Sequence, residues 1–266
     1  VLARMAEVYE DRLEDLAEAT RHYEAVLAID PNHLGALKGL DRIFNRGGRY
    51  KELLENLERQ VAVAATPRQK INLYERMAGL YEEEFLDHEN ASVCLENILA
   101  LDPANDNALT ALARHYRAQG KWEEVVKITE RHAAATSDEA RRVELLLGRA
   151  RTLAEQVGSP ERATRAFEQV LEMSPGHGGA LEALARLREM SGDANAALTA
   201  IEALAAKAQT PEQQAVQWMR AAKLLESRGD RDGAIGRYKL ALESNPKDQS
   251  AAAALRAAYA ARGDAV

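Results

Sequence analysis

Leu27-Ala28-Ile29-Asp30-Pro31 returns as Leu99-Ala100-Leu101-Asp102-Pro103, then as Leu171-Glu172-Met173-Ser174-Pro175 and Leu242-Glu243-Ser244-Asn245-Pro246. The four prolines stand 72, 72 and 71 residues apart. Three further series keep that step: Ala19, Ala91, Ala163 and Ala234; Gly48, Gly120, Gly192 and Gly263; Leu40, Leu112, Leu184 and Leu255. A fixed period of this kind signals stacked units, each burying its apolar face against its neighbours. Pro67 and Pro211 fall 36 residues after Pro31 and Pro175, so the 72-residue step is a double repeat.

Within each half, apolar residues at helical spacing predict two helices. Leu37, Leu40 and Phe44 show the spacing, as do Leu109, Leu112, Ala113 and Tyr116 one double repeat later. Gly48, Gly120 and Gly192 are placed to close a last turn in the left-handed conformation. The Asp-Pro and Ser-Pro pairs end the following helices, because the residue before proline is pushed out of the helical region. Fifteen helices are expected, near 2–12, 16–29, 33–46, 49–64, 68–85, 89–101, 105–119, 121–135, 139–156, 160–173, 177–190, 194–208, 212–228, 231–244 and 248–262. They pair over 1–31, 32–66, 67–103, 104–137, 138–175, 176–210 and 211–246, with a single helix over 247–263. The expected fold is all-α, with 1–266 forming one solenoid of antiparallel helix pairs.

Composition agrees with that class. The 266 residues include 51 Ala and 26 Arg against 9 Lys, with 16 Gly, 7 Pro and 5% aromatics. Such a mixture favours helix and argues against a sandwich, a barrel or a disulfide-stapled domain. Cys94 stands alone and can form no intrachain disulfide. No apolar run approaches the roughly 18 residues that span a bilayer, and no secretory pattern opens the chain. A cytoplasmic location without membrane insertion is expected. Net charge is −7. Residues 1–133 carry 24 acids and 17 bases, whereas the remainder carries 18 of each. An acidic chain is a poor default partner for nucleic acid, whose phosphates dominate affinity. The abundance of Arg and Ala suggests a bacterial source with a GC-rich genome.

Helix pairs of some 35 residues with this pattern resemble the tetratricopeptide repeat (TPR) family. Met5-Ala6-Tyr9 with Ala19-Tyr23-Pro31 carries the resemblance, as does Met77-Ala78-Tyr81 with Ala91-Leu95-Pro103. Ala222-Leu225 with Ala234-Tyr238-Ala241-Pro246 carries it most fully. Alternate pairs depart from the pattern, with Leu53 and Val125 at a small-residue position and Arg188 at an aromatic one. The resemblance implies a right-handed superhelix whose concave face, lined by the first helix of each pair, binds a protein or peptide. It implies no catalysis and no cofactor. An RNA-binding helical repeat is the alternative, as is an accessory interaction region of a larger enzyme or of a secretion or motility assembly. Some relatives clamp a terminal carboxylate with Lys and Asn on consecutive first helices. The corresponding residues here, Lys38 and Arg42, Glu75 and Gly79, Thr110 and Arg114, lack the Asn.

No catalytic or metal-binding motif appears; G-x-x-x-x-G-K-S/T, H-E-x-x-H, G-x-S-x-G and C-x-x-C are all missing. The histidines His22, His33, His88, His115, His132 and His177 form no i, i+4 pair. His33 and His177 occupy the place of Asn105 and Asp248, where they are expected to cap helices. Trp122 is expected to pack on the preceding helix. Cys94 aligns with His22, Ala166 and Arg237 and is therefore expected at the periphery.

The candidate partner-binding residues lie on the stripe beside each first-helix core stripe: Lys38, Arg42, Asn107, Thr110, Arg114, Arg117, Arg151, Arg186 and Lys223. Following one place gives Glu7, Arg42, Gly79, Arg114, Arg151, Arg186 and Lys223, five of the seven basic. Either these cations receive an acidic extended segment, or they pair with groove acids such as Glu182, Glu189 and Glu226. The ends are expected to be open. Val1-Leu2 starts within an apolar stripe, and Gly263-Asp264-Ala265-Val266 aligns with Gly192-Asp193-Ala194-Asn195, which opens a helix. A segment of a longer array, prone to end-to-end association, is the expectation.

Overall fold

A computed structural model describes residues 1–263. Among them are fifteen helices and no strand: α1 (Leu2–Asp11), α2 (Leu16–Ile29), α3 (Leu34–Arg46), α4 (Tyr50–Val63), α5 (Pro67–Glu83), α6 (His88–Leu101), α7 (Asp106–Ala118), α8 (Trp122–Ala135), α9 (Glu139–Glu155), α10 (Pro160–Met173), α11 (Gly178–Met190), α12 (Ala194–Lys207), α13 (Pro211–Ser227), α14 (Arg231–Ser244) and α15 (Gln249–Arg262). Every boundary lies within two residues of the position expected from the repeat. The expected helix opening at Asp264 to Val266 lies outside the described residues. The chain divides into two compact units, Val1–Thr136 with α1 to α8 and Ser137–Val266 with α9 to α15. In each, odd-numbered helices are the first of a pair and even-numbered ones the second.

Local chemistry explains the regular boundaries. Nδ1 of His33 accepts from the Ala36 amide and Nδ1 of His177 from that of Ala180. Asn105 and Asp248 do the same for Ala108 and Ala251. One capping position thus uses His, Asn or Asp, because each puts an acceptor within reach of the first free amides. Thr66 and Gln69 form a reciprocal capping box at α5. Gly48, Gly120, Gly192 and Gly263 have φ of 63°, 67°, 77° and 89°, the left-handed closure expected of them.

A second left-handed series went unnoticed in the sequence. Glu14, Leu86, Gly158 and Gly229 keep the double-repeat step and have φ of 53°, 51°, 69° and 80°. Glycine takes this conformation without strain, whereas Glu14 and Leu86 carry a Cβ that opposes it. Leu86 is also 77% exposed. Leu86→Gly is therefore expected to stabilise unit 1 by about 0.5–1 kcal/mol, once the greater freedom of the unfolded glycine is set against the strain relieved. A lower urea midpoint for the variant would refute this.

The cores follow the small-residue series. Ala19, Ala91, Ala163 and Ala234 are 0–1% exposed, where each second helix meets its first. Tyr23 lies flat over α3, and a Cβ at Gly39 would come within 2.3–2.7 Å of its ring. Trp218 packs beside Leu198 and Ala221 in unit 2. Trp122 is half-buried.

Cys94 departs from expectation. It is buried, at 4% exposure, and burial pushes its thiol up to about 11. Its polar equivalents had suggested a peripheral site. They reach out from the same place by their length: His22 stacks on Tyr9 at 5.2 Å, and Arg237 bonds Glu202 at 2.6 Å. A short thiol there stays inside.

Candidate functional site

All nine candidate residues are exposed: Lys38, Arg42, Asn107, Thr110, Arg114 and Arg117 in unit 1, Arg151, Arg186 and Lys223 in unit 2. Their electrostatic surroundings differ sharply. Arg42 on α3 donates through Nε and Nη2 to the two carboxylate oxygens of Glu10 on α1, each at 2.7 Å. Arg114 on α7 grips both oxygens of Glu82 on α5 in the same manner. Both are two-pronged bonds between consecutive first helices, the strong form of an arginine–carboxylate pair. Arg186 makes no hydrogen bond or ion pair among the described residues, and neither do Arg151, Lys223 or Lys38.

The acid side of the series explains the split. Arg42 and Arg114 each bond a carboxylate 32 residues earlier. For Arg186 that place is Ala154, so its counter-charge is missing. The next acid in the series, Glu226, instead accepts the Tyr238 hydroxyl at 2.9 Å. Tyr23 donates similarly to Glu10, so Glu10 serves both Tyr23 and Arg42. Burial by itself pushes the Glu10 carboxyl up, yet the bonds from Arg42 and Tyr23 outweigh it and leave it below 4.5. Arg114 holds Glu82 below its ordinary range, despite partial burial.

The groove acids Glu182 and Glu189 are paired, though with none of the nine candidates. Arg220 on α13 bonds Glu182 at 2.8 Å and Glu189 at 2.8 Å. Its counterpart Arg76 on α5 forks onto Asp41 of α3 at 2.7 and 2.8 Å, and Gln60 of α4 adds a third bond at 2.8 Å. Arg76, Asp41, Gln60 and Arg220 were all missed in the sequence. The signal that could have found them is an arginine with an acid 31–38 residues before it, the distance between consecutive first helices.

Two histidines also meet across helices. Nδ1 of His88 lies 3.0 Å from Nδ1 of His115, which is buried, and Nε2 of His115 lies 3.4 Å from Glu82. Burial pushes the His115 imidazole down, Glu82 opposing. Among the described residues, no group of three or more His, Cys, Asp or Glu could hold a metal ion, and no helix is long and apolar enough to cross a membrane.

The fold defines a class: arrays of antiparallel helix pairs whose first helices are tied together along one face. A family model for the tetratricopeptide repeat matches residues 86–150 and 154–217, and the chain is a tetratricopeptide-repeat protein. A pentatricopeptide repeat-containing protein of Arabidopsis thaliana is 29% identical over 143 residues, 42% of this chain and 18% of that protein. The chain thus spans under a fifth of that relative's length. Among solved structures, one chain of Naa15/Naa10 bound to HypK-THB is similar over 97% of this chain and 38% of that one, at 17% identity and a TM-score of 0.54. YrrB, described as a TPR protein with an unusual peptide-binding site, is 17% identical over 78% of this chain and 97% of its own, at a TM-score of 0.43.

Proposed function

We propose that this chain is a protein-interaction scaffold, without catalysis of its own, that holds an extended acidic segment of a partner along the first helices of unit 2. The observation carrying the reading is the row Arg151, Arg186 and Lys223. Three exposed cations stand at one place on α9, α11 and α13 without an internal partner. The acids beside them, Glu182 and Glu189, are already neutralised by Arg220. Packed helices lie about 8–10 Å apart and an extended chain rises about 3.3 Å per residue, so an acid at roughly every third residue meets successive cations. Guanidinium forks favour carboxylates, though exposed pairs contribute only about 0.2–1 kcal/mol each. The row therefore biases partner choice, and apolar contacts must supply the remaining affinity. The free thiol of Cys94 suits a reducing, cytoplasmic setting.

The test is the triple charge reversal Arg151→Glu, Arg186→Glu and Lys223→Glu, titrated with a fluorescein-labelled Asp/Glu-rich peptide. Binding is expected to fall about tenfold or more, and added salt should weaken the parent in the same direction. Equal affinity in the folded variant sinks the reading. Arg42 and Arg114 form a contrasting pair. Their reversal sets a Glu against Glu10 or Glu82, and the expected result is a lower melting temperature.

A further inference from the structure

One place on the first helices carries opposite charge in the two units. Glu182 of α11 lies two double repeats after Lys38 of α3, with Thr110 between them. Arg220 and Arg76 are related by the same step. In unit 2, Arg220 turns to Glu182 and Glu189. In unit 1 those places hold Lys38 and Asn45, so Arg76 turns instead to Asp41, where unit 2 has Ala185. That exchange leaves a cavity of about 480 Å³ between α3, α4 and α5. Leu34, Val63 and Leu73 form its apolar wall, and Lys38, Arg42 and Arg76 are its cations. Arg42 and Arg76 are committed to Glu10 and Asp41. Lys38 makes no hydrogen bond or ion pair among the described residues.

We propose that this cavity is a second docking site of the scaffold, which takes an adjacent aliphatic and acidic residue from an extended peptide segment. The aliphatic side chain lies against Leu34, Val63 and Leu73, and the carboxylate meets Lys38. Lys38 is the residue that sets specificity. Charge complementarity selects the occupant: one uncommitted cation beside an apolar wall, on a chain whose net charge is −7. A nucleic-acid base finds no aromatic surface among the lining residues on which to stack. The cavity volume lies within the usual range for ligand sites, about 300–1,000 Å³. The proposal rests on the interaction-scaffold reading but uses different residues from the row in unit 2.

The test uses the full chain and three fluorescein-labelled probe peptides in which leucine alternates with aspartate, asparagine or lysine. Lys38→Glu should fold normally, because Lys38 is exposed and Glu182 occupies the same place in unit 2. The expected result is aspartate-peptide binding about fivefold weaker in Lys38→Glu, with the lysine peptide gaining. Amide shifts on binding should map to α3 and α5. Binding unaffected by Lys38→Glu but lost in the Arg151, Arg186 and Lys223 reversal overturns the cavity and leaves the unit 2 reading standing. Failure of the parent to bind any of the three peptides, or the acidic peptide used for unit 2, overturns both. Equal binding of the aspartate and asparagine peptides overturns the role of Lys38. Displacement of the bound peptide by mixed single-stranded RNA, dependent on Lys38, overturns the peptide assignment.

Discussion

Asp41→Ala is expected to lower the stability of unit 1 by about 2–3 kcal/mol, because it leaves Gln60 buried without its acceptor and releases Arg76. Asp41 is 8% exposed and Gln60 is 4% exposed, so neither group is readily solvated in place. Arg76 is 44% exposed and can turn to water, which keeps the loss below that of a fully buried pair. Asp41→Asn retains an acceptor for Gln60 and should cost less than half as much. Urea denaturation compares the two, and equal midpoints for the alanine variant and the parent would falsify the seam's role. The same carboxyl predicts an acid limb. Burial alone pushes Asp41 up, but the bonds from Arg76 and Gln60 outweigh it and hold it below 3.8. A carboxylate lowered in the native state contributes stability that is complete above its unfolded value and vanishes as the pH falls through the native one. Asp41, Glu10 and Glu82 share that direction. Stability of the parent should thus fall between about pH 5 and pH 2, and Asp41→Ala should show a shallower fall.

Ala91→Leu is expected to cost about 1–3 kcal/mol by overpacking. Ala91 is fully buried at the start of α6, where α6 lies against α5. Three added carbons must push α6 outward or force neighbouring side chains off their rotamers. Repeat arrays are coupled mainly to their neighbours, so the damage should spread through roughly one helix pair on each side. Hydrogen exchange should show faster opening in α4 to α7 and little change from α11 to α15. Equal loss of protection in all fifteen helices would show that the array unfolds as one cooperative body. Unaltered exchange near α6 would show that the contact tolerates leucine.

The helices were legible because their determinants are local. Thr66 before Pro67, Asp87 before His88, and glycine after α3, α7 and α11 each act within one turn, and the 72-residue recurrence repeats each signal. The capping roles of His33 and His177 could be read from Asn105 and Asp248 alone, since all four put an acceptor in one place. Glu14 and Leu86 escaped notice because a left-handed backbone leaves no mark on a residue that is not glycine; Gly158 and Gly229 held the clue. Cys94 was misplaced because exposure belongs to the end of a side chain, whereas the repeat fixes only where its Cβ begins.

The charged face divides in the same way. The sequence by itself determined that Arg42, Arg114 and Arg186 share one place on successive first helices, because that place follows from helical period and repeat length. Only the tertiary structure decided that Arg42 and Arg114 tie helices together whereas Arg186 faces solvent without a partner. Helix formation is set by neighbours along the chain. A charge is set by whatever carboxylate another helix brings within about 4 Å, and that neighbour becomes one only after the helices have stacked.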